Sequence, residues 1–315
     1  MTEDFAQNAS RHFFLRKPER FELDEIDPAE LNDEEIRLAF SVFKGTLDEI
    51  VGAAQAFYIM SMAAVIDSQF NRLFVSNILR TKANFIRAGR EITDEDIRQE
   101  ARNRTIKEWE ERENHDEILL QEASHRLIDL SSNTPELIAE SNNAILRQSS
   151  VMLWSATETL LRDYLRISIN RQPTLSKKLF ESDETKRYWN ARDLTIDVIQ
   201  NANFNLQQSM GDAMIEINAM ISLKSIKAAY SVVFPAEGLM KALKSQTTYN
   251  LFTLRNLVAH RNGLVDAKYL SETSFAVELG KKINISPAQF EELYMAAKSI
   301  GIELFKNATT IKVAV

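Results

Sequence analysis

The chain has 315 residues, enough for one large domain or two ordinary ones. A hydrophobic content of 44% with only 8 Gly and 6 Pro favours long helices around a sizeable core over a turn-rich sheet protein. The lack of Cys excludes disulfides, iron–sulfur ligation and the common structural zinc patterns, and a net charge of -7 excludes a globally basic nucleic-acid binder while leaving room for a local basic patch.

The first ten residues, MTEDFAQNAS, are acidic and polar and do not read as a signal peptide, so a cytoplasmic protein is the default. Residues 1–33 read as an irregular lead-in, interrupted by Pro18 and Pro28. From Asp33 to Arg90 the pattern is helical with hardly a breaker, giving one or two long helices in which Gly45 and Gly52 permit a bend. Their apolar faces are too wide for solvent and need partners, in the same chain or across an oligomer. Within this run Ile50–Ile66 falls slightly short of the roughly 20 apolar residues of a bilayer span and contains Gln55 and Ser61. A buried helix is the expectation, with a membrane-associated effector as the weaker alternative.

Thr93 and Asp96 have the spacing of a capping box, so a new helix starts there. The run that follows alternates in charge around an imperfect stripe of Ile97, Ala101, Trp109 and Ile118, as on a solvated helix. His115 and His125 lie in it as surface residues. With His12 and His260 they are too scattered for a histidine metal cluster, and neither a metal nor another cofactor is expected.

The polar turn formers of Ser131–Pro135 mark a boundary, with Thr134 capping a helix from Pro135. They divide the chain into a helical region at 1–133, for sensing, partner binding or dimer extension, and a helical domain at 134–315. A core helix spans Ile145–Asn170, carries Val151, Trp154, Leu161 and Leu165, and stops before Pro173. Further helices are expected around Tyr188–Gln200, over Met210–Tyr230 and in PAEGLMKALK from Pro235. A partial alternation around Gly280 suggests a small hairpin or extended return. Ser286, Pro287 and Gln289 then start the last helix, with Phe290, Leu293, Ala297, Ile300 and Leu304 along one side. The fold class is therefore all-α.

The stretch TLRNLVAHRNGLVD, from Thr253 to Asp266, concentrates the chemistry. Leu251, Leu254, Leu257 and Val258 seat a helix, and Gly263 suits the positive φ of its end. His260 lies in the last turn, where the carbonyl end favours an imidazolium. Asn256 and His260 are four apart on one face, with Arg255 adjacent to Asn256. Arg holds phosphate through parallel hydrogen bonds, His exchanges a proton near neutral pH, and Asn orients a water, a hydroxyl or the histidine. Such a set suits phosphodiester chemistry on RNA, where the 2′-OH is an internal nucleophile and no metal is obligatory. One His in a fixed pose cannot easily serve as both base and acid, and a two-fold interface would bring a second copy. The same residues also suit plain helix capping, with Arg261 and Asn262 as surface residues at an ordinary stop.

RNLVAH, Arg255–His260, resembles the Arg, four-to-six residues, His motif of the HEPN superfamily, in which a polar residue usually follows the Arg. Glu158 in SATETLLRDYL and the helix end HRNGLVD add to the likeness, which covers roughly residues 140–308. The resemblance implies a C-terminal HEPN-like bundle that forms a homodimer and cleaves RNA without metal at the two-fold interface, leaving 2′,3′-cyclic phosphate and 5′-OH ends. Arg255 and His260 would be the catalytic pair and Asn256 would tune or orient His260. Glu158 would hold Arg255 or Arg261, and Arg261 and Asn262 would contact substrate. Toxin–antitoxin, abortive-infection or antiviral defence is the implied setting, with an antitoxin or regulatory protein as a further partner and no membrane. The roughly 130 N-terminal residues depart from a minimal HEPN protein. The main alternative is a non-catalytic helical protein that binds RNA or a protein partner, with Glu158 as one more salt bridge inside the bundle.

Overall fold

A computed structural model describes Phe13 and residues 21–310, apart from 90, 92, 113, 114, 134, 274 and 276 and the side chains of 115, 135 and 310. The expectations placed on His12, Pro18, Arg90 and Thr134, and on the side chain of His115, lie outside the described residues. The fold is all-α, with thirteen α-helices and no named strand among the described residues. In chain order they are α1 (Glu34–Ala54), α2 (Ala56–Arg87), α3 (Asp94–Glu110), α4 (His115–Asn133), α5 (Pro135–Arg171), α6 (Leu175–Glu181), α7 (Ile196–Asn201), α8 (Leu206–Ile217), α9 (Leu223–Val233), α10 (Glu237–Lys244), α11 (Gln246–Arg261), α12 (Ala267–Glu272) and α13 (Pro287–Thr310). Two compact units share them. One is built on Gln55–Asn142 with Phe13, the other on residues 21–54 together with 143–310. The expected division at 133/134 thus differs from these bounds, because α1 belongs with the C-terminal helices and α5 runs on through the boundary.

In the first unit α2 packs against both α3 and α4. Val65, Leu119 and Ala123 form one small apolar cluster, and Phe13, Leu127 and Ile138 another. Ile97 and Ala101 are buried as the stripe requires, but Ile118 is 44% exposed and Leu119 takes the inward place. Thr93 accepts from the Asp96 N–H and caps α3. Much of what α2 buries is polar: Ser61 donates to the Ala123 carbonyl, and Asn77 donates to Thr105 and Glu108. The apolar stretch Ile50–Ile66 is split at Gln55, and its residues divide between buried Ile50, Val51 and Val65 and exposed Ile59 and Met60. No single helix among the described residues is long and apolar enough to cross a membrane.

The second unit is a bundle around α5, α11 and α13. Trp154, Leu161 and Leu165 of α5 are fully buried, as are Phe290, Leu293, Ala297, Ile300 and Leu304 of α13, while Val151 is only half-buried. Ser286 and Gln289 exchange the two reciprocal hydrogen bonds of a capping box, at 3.2 and 2.9 Å, and so fix the start of α13. The described part of the lead-in, from residue 21, holds a 3₁₀ turn at Pro28–Glu30 and is not a solvated tail. Phe21, Leu23, Ile26 and Leu31 are buried, Phe21 lies against Tyr294 at 4.8 Å, and Lys44 donates to the carbonyls of Leu23 and Ile26.

Three expected elements differ. The helices expected from Pro135 and from Ile145 are one helix of 37 residues. The run Met210–Tyr230 is broken between α8 and α9, where the Asn218 side chain accepts from the Met220 N–H and Met220 takes a positive φ of 55°. Asn bonding two residues on mimics a backbone turn and outcompetes the helix. Around Tyr188–Gln200 the chain forms a short 3₁₀ turn at Ala191–Asp193 and then α7.

Candidate functional site

The motif helix α11 begins where Ser245 accepts from the Thr248 N–H at 3.1 Å. Leu251, Leu254, Leu257 and Val258 are buried at helical spacing, so this stripe fixes the rotation of the helix. Arg255 and Asn256 then fall at its half-buried edge, and Ala259, His260, Arg261 and Asn262 reach solvent.

The helix ends where the glycine suggests, with Asn262 as its C-cap and Gly263 after it. Asn262 already adopts the left-handed conformation, with φ 52°, followed by Gly263 at φ 78°. Asn tolerates that region because its short polar side chain bonds locally. The Gly263 N–H returns to the Leu257 carbonyl at 3.2 Å. Gly263 is buried over Arg147 and Ile283, and a Cβ there would meet Ile283 Cγ2 at 3.4 Å and Arg147 Cδ at 3.5 Å.

The return after α12 is extended, but it is not a hairpin of the alternating segment with itself. Residues 281–283 lie antiparallel to residues 263–265, with a Leu264–Lys282 bridge and hydrogen bonds from Val265 N to Lys281 O and from Ile283 N to Gly263 O. Two α5 residues support this return. Buried Arg147 donates to the Ile283 carbonyl at 3.0 Å, and the Asn143 side chain accepts from the Ile285 N–H at 3.1 Å. Arg147 therefore braces the end of the motif helix. Its place inside the apolar run of α5 is the sequence signal for that role.

Of the six candidate residues, three come together. Arg255 Nη2 lies 3.7 Å from Glu158 Oε2, and Arg255 Nη1 donates to Asn256 Oδ1 at 3.0 Å. The Glu158 side chain is 9% exposed and that of Arg255 26%. Trp154, one turn before Glu158, donates its indole N–H to the same Oε2 at 2.7 Å, and its ring meets Phe252 edge-on at 5.1 Å. Trp154 was legible as core but not as the partner of Glu158, although the i,i+4 spacing carries that signal. Asn256 thus orients the guanidinium in this structure.

The other candidates stand apart. His260 is exposed on the following turn and makes no hydrogen bond or ion pair with the described residues. Arg261 pairs with Asp266 at 3.0 Å, and the same Asp266 caps α12 by accepting from the Tyr269 N–H. Asn262 is the exposed left-handed cap. None of the six lines the groove of about 420 Å³ between α1 and α5, which Leu38, Val42, Met152 and Arg166 border. Among the described residues no group of three His, Asp or Glu side chains is placed to hold a metal.

The arrangement is a tethered cation with a quarter of its surface in solvent and, separately on the following turn, an untethered imidazole near a helix C-terminus. The first is chemically able to hold an anionic group and the second to exchange a proton. No protein-family model matches the chain, and no curated protein and no solved structure is significantly similar to it.

Proposed function

We propose that the chain is an endoribonuclease that uses Arg255 to bind the scissile phosphate and His260 to move the proton, without a metal. The 2′-OH attacks the adjacent phosphorus, the P–O5′ bond breaks, and the products carry a 2′,3′-cyclic phosphate and a 5′-OH. The carrying observation is the placement of Arg255. Glu158 and Asn256 hold it at the lip of the bundle, one helical turn before a free, exposed His260. A positioned cation offsets the charge that grows on the phosphorane oxygens, and Asn256 accepts from one arm of its fork. The likeness of RNLVAH to the HEPN motif supports the same roles. One histidine per chain at this site makes a second copy the natural source of the other proton-transfer group, so the working form is a homodimer in a toxin–antitoxin or other defence setting.

A second reading has an observation of its own. The Arg255–Glu158 pair favours a non-catalytic helical protein in which the arginine is structural and the surface binds RNA or another protein.

One experiment separates them. Purified wild-type protein, Arg255→Ala and His260→Ala are incubated with single-stranded RNA in excess EDTA, and product ends are identified by their phosphatase and kinase sensitivity. The ribonuclease reading expects cleavage by the wild type only, with His260→Ala slower by at least about 100-fold, the lower range for general acid–base catalysis. Equal cleavage by all three, or none by folded wild type, rejects it in favour of the second reading.

A further inference from the structure

Lys224 and Lys227 stand three apart on one face of α9, and Lys244 lies in the last turn of α10, which packs against α9. Lys224 and Lys244 are exposed and Lys227 is half-buried. None of the three makes a hydrogen bond or ion pair with the described residues. α9 carries no carboxylate, and the one on α10, Glu237, opens that helix at the end opposite Lys244. Glu184, from the segment after α6, accepts from Ser231 one turn further along α9. Burial and the charges of Lys244 and Lys224 hold the Lys227 ammonium below the usual lysine range, as expected where no anion offsets them. Three uncompensated cations gathered on a chain of net charge -7 hold a cost that a bound anion would relieve.

We infer that Lys224, Lys227 and Lys244 form a phosphate-tracking surface for the backbone of single-stranded RNA, separate from the catalytic residues. This rests on the ribonuclease reading for the identity of the polyanion. The three ammonium groups are spread over two packed helices, which suits a string of phosphates better than one small anion. Lysine provides point charges without the planar fork of arginine, and so fits sequence-independent contact. Lys244 immediately precedes Ser245, the cap of α11, whereas His260 lies at the other end of that helix, about 24 Å away for 16 residues at about 1.5 Å each. The surface therefore engages phosphates several nucleotides from the one cleaved.

The test is fluorescence anisotropy with a labelled single-stranded oligouridylate, in the His260→Ala background so that the RNA stays intact, over a salt series. Neutralising the three positions together (Lys224→Gln, Lys227→Gln, Lys244→Gln) is expected to weaken binding at least about 10-fold. It should also lower the slope of log affinity against log salt by about 2, at about 0.7 per phosphate contact. The matched variant Lys177→Gln with Lys178→Gln should bind as the background does. Unchanged affinity and slope in a triple variant with unchanged circular dichroism overturns the inference, as does the lack of RNA affinity in the background protein. Cleavage by the wild type is read separately. Loss of binding in the triple variant with no wild-type cleavage keeps this surface and rejects the nuclease, and the reverse pattern keeps the nuclease and rejects the surface.

Discussion

Trp154 and Arg255 address one oxygen of Glu158, and they do so unequally. The indole N–H is at hydrogen-bond distance, 2.7 Å, while the guanidinium is at 3.7 Å, close enough for attraction and too far for a hydrogen bond. Glu158 is therefore anchored to its own helix by the indole and holds Arg255 by charge alone. Removing the carboxylate strands the fully buried indole without an acceptor. Glu158→Ala is accordingly expected to lower stability by about 1–3 kcal/mol, the range for an unsatisfied buried donor. Glu158→Gln, which keeps an acceptor for Trp154, should lose less. Urea unfolding of the two variants checks this, and equal losses would show that packing rather than the hydrogen bond sets the cost. The sequence marked Arg255 and Asn256 because their types are chemically conspicuous, and Glu158 only through the family resemblance. It did not mark Trp154 or Arg147 as parts of the site, since an aromatic and an arginine on an apolar helix read first as core and as surface, and their partners lie across the bundle.

The helices pack closely where glycine allows it, and α13 shows the case. Gly301 faces Phe43 of α1, and a Cβ there would come within 2.4 Å of the Phe43 ring. Phe43 is 2% exposed and has nowhere to move without displacing its neighbours. Gly301→Ala is expected to destabilise by about 1–3 kcal/mol through overpacking. Gly45→Ala, on the exposed side of α1 with nothing within 4 Å, is expected to stabilise by about 0.5–1 kcal/mol from helix propensity alone. Thermal melts of the two variants should therefore shift in opposite directions, and a shared direction would contradict the packing of α13 on α1. Elements with local signals were legible: the Ser286 capping box, the Thr93 cap and the apolar stripe of α13 all stand where the spacing put them. The break at Met220 and the pairing partner of the extended return were not. Each depends on a partner brought from elsewhere, the Asn218 side chain turning onto its own backbone in one case and the segment after α11 in the other.

At the scale of the whole chain, all-α was legible from composition and periodicity, whereas the assignment of α1 to the C-terminal helices was not. That assignment rests on contacts more than 100 residues apart, and one of them carries a charge signature. Asp33 caps α1, accepting from the N–H groups of Glu35 and Ile36 at 3.0 and 3.1 Å, and its other oxygen accepts from Arg171 Nε at 2.7 Å. Arg171 closes the last turn of α5 and also donates to Glu35 at 2.8 Å. Burial raises the Asp33 carboxyl, but the hydrogen bonds from Arg171 and Ile36 and the Arg171 charge outweigh it, leaving the folded value below the ordinary 3.8. A carboxyl depressed in the folded state contributes stability that is complete above its unfolded value and is lost as pH falls through the folded one. Asn serves as well as Asp at an N-cap, so Asp33→Asn removes the charge while keeping the cap. The wild type is therefore expected to melt above Asp33→Asn by a constant margin from about pH 7 down to about pH 5. That margin should shrink below about pH 4, toward the folded value of the carboxyl. A margin that persists undiminished at about pH 2.5 would mean that the cap geometry, and not the ionised Asp33–Arg171 pair, ties α1 to α5.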